Sequence, residues 1–275
     1  MALITPTDLI YIDNITITGT TFCNPTTGPG GVSSNLDLWL KADKVDGFGF
    51  DVDGNPVNQW FDAGKGNHAE ATIAAQAPTY KNNSTDNFNF NPVIKFDNDN
   101  NTAPSDMTYL LTDREVLKGT GGFNSNDMFV VIIPDIPITT GMIPMDTFTG
   151  DDPDPGTSTY TEDITGFGYG GYTARLTGEY LAYAIGPTNN TPPYPGYGSG
   201  DSSASTDYSK IGIMNFRHNN SNTTEEIYFN AERIDDLEND APDFSAVNNT
   251  RYFIGRSQFW GGSFNGRIAE IVTYS

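Results

Sequence analysis

Several aromatic residues of this chain sit where a hydrophobic core cannot easily take them. Tyr194 and Tyr197 fall in PPYPGYGSG, held by proline and glycine. Phe259 and Trp260 precede Gly261-Gly262, and Tyr169 and Tyr172 flank Gly170-Gly171. Rings on loops can stack against the C–H faces of sugars, while Asn, Asp and backbone groups take the hydroxyls. These six are therefore candidate ligand-binding residues, the alternative being that they pin long loops.

Oxygen-rich spacings suggest a second chemistry, calcium binding. Asp51, Asp53 and Asn55 alternate, and Asp62 stands where the twelfth residue of a calcium loop would. Pro56 occupies the sixth position, where such a loop needs Gly, so FDVDGNPV also reads as a hairpin turning at Asp53-Gly54. Asp151, Asp152 and Asp154 form a second acidic cluster. Glu232, Asp235 and Glu238 are spaced by three, which suits a solvated helical turn. No serine-hydrolase elbow, phosphate loop or metalloprotease helix occurs.

These residues need a scaffold, and the pattern is of strands. Period-two or apolar runs cover residues 10–18, 36–41, 57–61, 93–96, 128–133, 180–185, 211–216, 226–229, 251–254 and 267–274. Gly, Pro, Asn and Asp punctuate them. Helical patterning is confined to 113–118 and 231–238, each a turn or two. The sequence predicts an all-β fold: a two-sheet antiparallel jelly-roll sandwich with long loops. Residues 1–23 read as an N-terminal strand segment, either an edge strand or the tail of a preceding module. Residues 24–34 read as a Gly/Pro/Ser/Thr linker, and 35–275 as the sandwich domain. The stretch 144–206 is expected to be long loops with one strand inside. In FNGRIAEIVTYS, Asn265-Gly266 signals a tight turn before the last strand.

The chain has 275 residues and a formal net charge of −21, so nucleic acid and anionic membrane surfaces are not expected as partners. Cys23 is the only cysteine, which leaves no intrachain disulfide and no cysteine-based zinc site. No apolar run approaches a bilayer-spanning length, and Met1-Ala2-Leu3 shows no export signal.

LDLWLKAD (36–43), VNQWFDAGKGNHA (57–69), PVIKFD (92–97), IYFNAERID (227–235), YFIGR (252–256) and FNGRIAEIVTYS (264–275) together resemble the concanavalin A-like lectin/glucanase superfamily. They are most similar to laminin-G-like modules of secreted or surface proteins from Bacteroidetes-type bacteria. The resemblance implies a non-catalytic module for carbohydrate recognition or adhesion, secreted or on the cell surface. It would bind a glycan or cell-surface polysaccharide beside neighbouring modules of the same large protein, with calcium as a possible cofactor. It also implies Leu36, Leu38 and Leu40 facing the core, Asp37, Trp39 and Lys41 facing away, and Trp60 in the core. Asp62 is then a turn-capping carboxylate and His68 a turn-flanking residue. Two alternatives stand: a purely structural module of a giant adhesin, and a polysaccharide hydrolase or lyase. The glucanases of the superfamily carry E-x-D-x-x-E, which is absent, and lyases need a His or Tyr base, for which only His68 and His218 offer histidines. In such modules a helical extension follows the last strand; the stop at Ser275 is expected of a piece of a longer protein.

Overall fold

The computed structural model describes residues 28–47, 49, 51–98, 106–112, 125–135, 142–149, 164–169, 181–186, 197–199, 210–219, 224–238, 250–256 and 263–275. Among them are sixteen strands, a few 3₁₀ turns and no helix long and apolar enough to cross a membrane. The strands are β1 (Leu36–Lys41), β2 (Gln59–Trp60), β3 (Ala69–Glu70), β4 (Thr79–Lys81), β5 (Val93–Phe96), β6 (Leu110–Thr112), β7 (Ser125–Pro134) and β8 (Met142–Thr149). They continue as β9 (Ile164–Tyr169), β10 (Leu181–Gly186), β11 (Tyr197–Ser199), β12 (Gly212–Asn219), β13 (Thr224–Phe229), β14 (Glu232–Glu238), β15 (Thr250–Ile254) and β16 (Gly266–Tyr274). The first sheet runs β14-β13-β12-β7-β16-β5-β4, with β1 also on β16; the second runs β11-β10-β9-β8-β15-β6-β3-β2. All recorded pairings between strands are antiparallel. The fold is thus an all-β sandwich, as the punctuated strand pattern predicts.

Alternation builds the core. On β1, Leu36, Leu38 and Leu40 are buried, and Asp37, Trp39 and Lys41 are half-buried on the other face. Leu38, Phe96, Val130, Ile132, Phe216 and Ile271 of the first sheet share one cluster with Trp60, Met145, Tyr252 and Ile254 of the second. The two sheets therefore pack face to face over a continuous apolar layer. The last strand β16 lies inside the first sheet, between β7 on one side and β5 followed by β1 on the other. A bulge interrupts its alternation: Ile268 pairs with Ile132 but Glu270 with Val131, leaving Ala269 extra. Consequently Ile268 and Ile271 both face the core, and Glu270 turns outward.

Two expectations are corrected. Residues 231–238 are not a helical turn but a hairpin into β14, so Glu232, Asp235 and Glu238 lie along a strand. The turn is Asn230-Ala231 with φ of 50° and 67°, the left-handed pair that a two-residue hairpin requires. Ala231 adopts there the conformation usually left to Gly, and pairing with β13 overrides local preference. The stretch 144–206 holds most of β8 and all of β9, β10 and β11 rather than one strand. Gly- and Tyr-rich strands such as ITGFGY lack the apolar alternation that would reveal them. Within the low-complexity segment, Pro29–Gly31 form a 3₁₀ turn, and the Tyr274 hydroxyl donates to the Val32 carbonyl at 3.3 Å. The segment Ile10–Thr18, Cys23 and residues 113–118 lie outside the described residues.

Candidate functional site

The outward face of the first sheet carries the candidate site. Trp39 projects from β1 opposite Val272, and Lys41 lies opposite Glu270. The bulge at Ala269 is what presents Glu270 on this face. Its carboxylate accepts the Trp39 indole N–H at 2.6 Å, a charge-assisted bond between residues 231 positions apart. Lys41 places its ammonium 5.1 Å from the Trp39 ring centroid and pairs with Asp43 at 3.3 Å.

Beside these stands the turn joining β4's approach to β5. Phe88 and Asn91 exchange backbone hydrogen bonds at 2.9 and 2.7 Å, closing a two-residue loop of Asn89 and Phe90. Both have positive φ, 45° and 67°. This is the left-handed pair that a two-residue turn requires, and a bulky Phe there carries a local cost. The turn leaves Phe90 94% exposed. Trp39, Lys41, Asp43, Asn89, Asn91 and Glu270 line a cleft of about 500 Å³. Its lining mixes the Trp39 and Phe88 rings and several aliphatic side chains with the amides of Asn89 and Asn91, the carboxylates of Asp43 and Glu270, and the Lys41 ammonium, which pairs with Asp43. That set can stack an apolar sugar face and hydrogen-bond hydroxyls, and it offers no free positive charge for an acidic group.

Trp39 is held in place by the turn behind it. Asp62, 8% exposed, accepts the backbone N–H of Trp39 at 2.7 Å, Gly64 at 2.8 Å and Asn67 at 2.8 Å. The Asp62 N–H donates to Nδ1 of His68, whose ring packs 4.4 Å from Phe61. Asp62 and His68 thus have the turn-building roles expected of them, and Trp60 is fully buried.

The structure does not bring the oxygen ligands of the predicted calcium loop together. The Asp62 carboxylate is filled by three N–H groups. Asp53 accepts from the Asn82 N–H at 2.7 Å and the Asn83 amide at 3.2 Å, and that backbone bond holds its carboxyl below its usual range. Asp51 accepts from the Asp46 N–H at 3.2 Å, and burial pushes its carboxyl up. Val52–Asn55 closes as a turn, with Asn55 N–H donating to the Val52 carbonyl at 3.1 Å and Gly54 at φ 88°. Among the described residues no group of three or more His, Cys, Asp or Glu is placed to hold a metal ion. Of the predicted aromatics, Tyr169 ends β9 and Tyr197 begins β11, neighbouring strands of β10 in the second sheet. Tyr172, Tyr194, Phe259, Trp260, Asp151, Asp152 and Asp154 lie outside the described residues.

Sequence reasoning set Trp39 on the outer face without assigning it to a site. The signal was there: a large ring at an outward position of an otherwise clean alternation. Phe90 was missed because Asn-Phe is not a turn dipeptide that propensity would flag.

No family model matches the chain, and no curated protein sequence matches it. Solved structures do resemble it. Domain 4 of AbnA, a GH43 extracellular arabinanase from Geobacillus stearothermophilus solved in complex with arabinotriose, aligns with 88% of this chain and 93% of its own, at 13% identity and a TM-score of 0.52. Trypanosoma rangeli sialidase in complex with 2,3-difluorosialic acid aligns with 90% of this chain and 31% of its own, at 11% identity and a TM-score of 0.49. The CBM40 of the Ruminococcus gnavus IT-sialidase, bound to alpha2,3 sialyllactose, aligns with 55% of this chain and 76% of its own, at 12% identity and a TM-score of 0.40. At these identities the first likeness speaks for the sandwich fold, and the other two carry no further argument.

Proposed function

We propose that this chain is a non-catalytic module of a secreted or cell-surface protein that binds neutral glycans in the cleft between β1, β16 and the Asn89-Phe90 turn. The observation that carries this reading is the pairing of Trp39 and Glu270 beside a strained turn that exposes Phe90. At positive φ in that turn, Phe90 is 94% exposed, which leaves its ring open to stack on a ligand beside the Asn89 and Asn91 wall of the cleft. Support comes from the sandwich fold, shared with an arabinanase domain solved with arabinotriose. The choice of neutral sugars follows from charge. Lys41 is paired with Asp43, Glu270 is bonded to Trp39, and the whole chain carries −21, so a uronate or sialate would meet repulsion with no counter-ion.

Asp43 and Glu270 both line the cleft, and a carboxylate pair is what a glycoside hydrolase would need. Here each is committed to a partner, Asp43 to Lys41 and Glu270 to the indole. The test is a glycan array spanning arabinan, xylan, β-glucan, alginate and sialylated oligosaccharides, with reducing-end and unsaturated-product assays on every hit. Binding to neutral polymers without turnover is expected. Binding only to anionic glycans, or product release, would overturn the reading.

A further inference from the structure

Next to the polar cleft the same sheet face holds a second depression of different chemistry, about 510 Å³ in volume. Phe129, Val131, Ile213, Val272 and Tyr274 of the sheet line it together with Val32. Val32 is 53% exposed and Ile213 49%. Two carboxylates also line it, and both are engaged: Asp127 accepts from the Arg217 Nε–H at 2.8 Å, and Glu270 is bonded to Trp39. The remaining polar side-chain atom, the Tyr274 hydroxyl, donates to the Val32 carbonyl. Sugar hydroxyls buried here would lose water without replacement, whereas an alkyl chain gains by leaving water.

The two depressions are continuous, since Pro29, Val131 and Glu270 line both. Strand register accounts for this. One row crosses the sheet as Lys41 on β1, Glu270 on β16, Val131 on β7 and Ile213 on β12, each paired with the next. The row beside it runs Trp39, Val272, Phe129. Both rows begin on groups that bond or stack with a sugar and end on apolar ones, and the bulge at Ala269 is what sets Glu270 in line with Val131. Neighbouring strands lie roughly 4.8 Å apart, so Ile213 stands about 10 Å beyond Glu270. A ligand that follows these rows is polar at one end and apolar at the other. We infer that the site takes a neutral glycolipid, with its sugar against Trp39 and Glu270 and its alkyl chain laid along Val131, Phe129 and Ile213. This rests on the glycan-binding reading of the cleft and names the ligand class.

Isothermal titration of the full chain with methyl, butyl, hexyl and octyl glycosides of glucose, xylose and arabinose, each below its micellar concentration, tests it. A buried methylene strengthens binding by up to about fourfold, so affinity is expected to climb at least about tenfold from methyl to octyl. Ile213→Asp should flatten that climb, and so should Val32→Asp, which alters a turn rather than a strand. Val52→Asp, 60% exposed and outside both depressions, should leave it intact. Trp39→Ala should weaken methyl and octyl glycosides alike. Octanol alone should bind at least about fivefold more weakly than the octyl glycoside, because it forgoes the stacking ring. Neutral polymers that bind on the array, with no gain from methyl to octyl, would overturn this inference and leave the glycan reading standing. Octanol binding as tightly as the octyl glycoside, with no methyl glycoside or neutral polymer bound, would overturn both. A climb that survives both Asp changes puts the alkyl chain elsewhere and overturns the inference. So does a dimer in sedimentation that Ile213→Asp dissociates, because a second copy then covers the groove.

Discussion

Replacing Asp62 by Ala should loosen the support of the whole cleft, and its cost can be worked from three bonds. The carboxylate accepts backbone N–H groups from Trp39, Gly64 and Asn67 at 2.7–2.8 Å, and it is 8% exposed. Bonds to an ionised acceptor contribute about 1.5–3 kcal/mol each, and a buried donor left unpaired costs about 1–3 kcal/mol. The Asn67 bond is buried; the Trp39 and Gly64 bonds are part-buried, so water recovers some of their loss. The sum, which is not additive, comes to about 3–5 kcal/mol. For a domain of this size that lowers Tm by about 10 °C. Asp62→Asn keeps one oxygen for Trp39 and Gly64 but turns an NH₂ donor toward the Asn67 N–H, so it should lose about 1–3 kcal/mol. Urea unfolding followed by circular dichroism measures both, with an unchanged m-value showing that the folded state is the same. An Asp62→Ala midpoint within about 0.5 kcal/mol of the parent would refute the claim that this carboxylate organises the turn behind Trp39.

Ala231→Gly should stabilise the chain by about 0.5–1 kcal/mol, because Ala at φ 67° carries a left-handed cost that Gly does not; the urea midpoint reads it. Gly255→Ala should destabilise by about 3 kcal/mol or more in the same assay: φ is 96°, and a Cβ would lie 2.2 Å from Phe96 Cδ1 and 2.9 Å from the Thr108 carbonyl oxygen. Asp51 supplies a pH signature. Burial, joined by the charge of Asp46, raises its folded-state pKa above the usual 3.8, so the ionised form is disfavoured by folding. Asp51→Asn should therefore be more stable than the parent at pH 7, and the advantage should shrink as pH falls through the folded pKa and vanish below 3.8. A stability difference that stays constant with pH would contradict this.

The sandwich and its core faces could be read from local pattern. Leu36, Leu38 and Leu40 alternate cleanly, and the final strand pairs with the first because both are long, apolar on one face and free of Pro. Trp39 was legible as outward for the same reason. What local pattern could not show was set by partners distant in sequence. The bulge at Ala269 depends on register against β7, and it decides that Glu270, rather than Ile271, meets Trp39. Charge spacing in 231–238 imitated a helix, yet pairing with β13 made it a strand. Asp51, Asp53 and Asp62 look like one loop in sequence. In space they answer to Asp46, Asn82 and Trp39, three separate backbone donors.

The central claim, that the glycan sits against Trp39 and Phe90, is tested most directly by isothermal titration of the neutral oligosaccharide selected on the array. Four full-chain variants with unchanged circular dichroism are compared: Trp39→Ala, Phe90→Ala, Trp260→Ala and Tyr194→Ala. Loss of one stacking ring should weaken binding by about 1 kcal/mol or more, fivefold or greater, for Trp39→Ala and for Phe90→Ala. Full affinity in both of these, with loss confined to Trp260→Ala or Tyr194→Ala, would move the site to those residues and contradict the account.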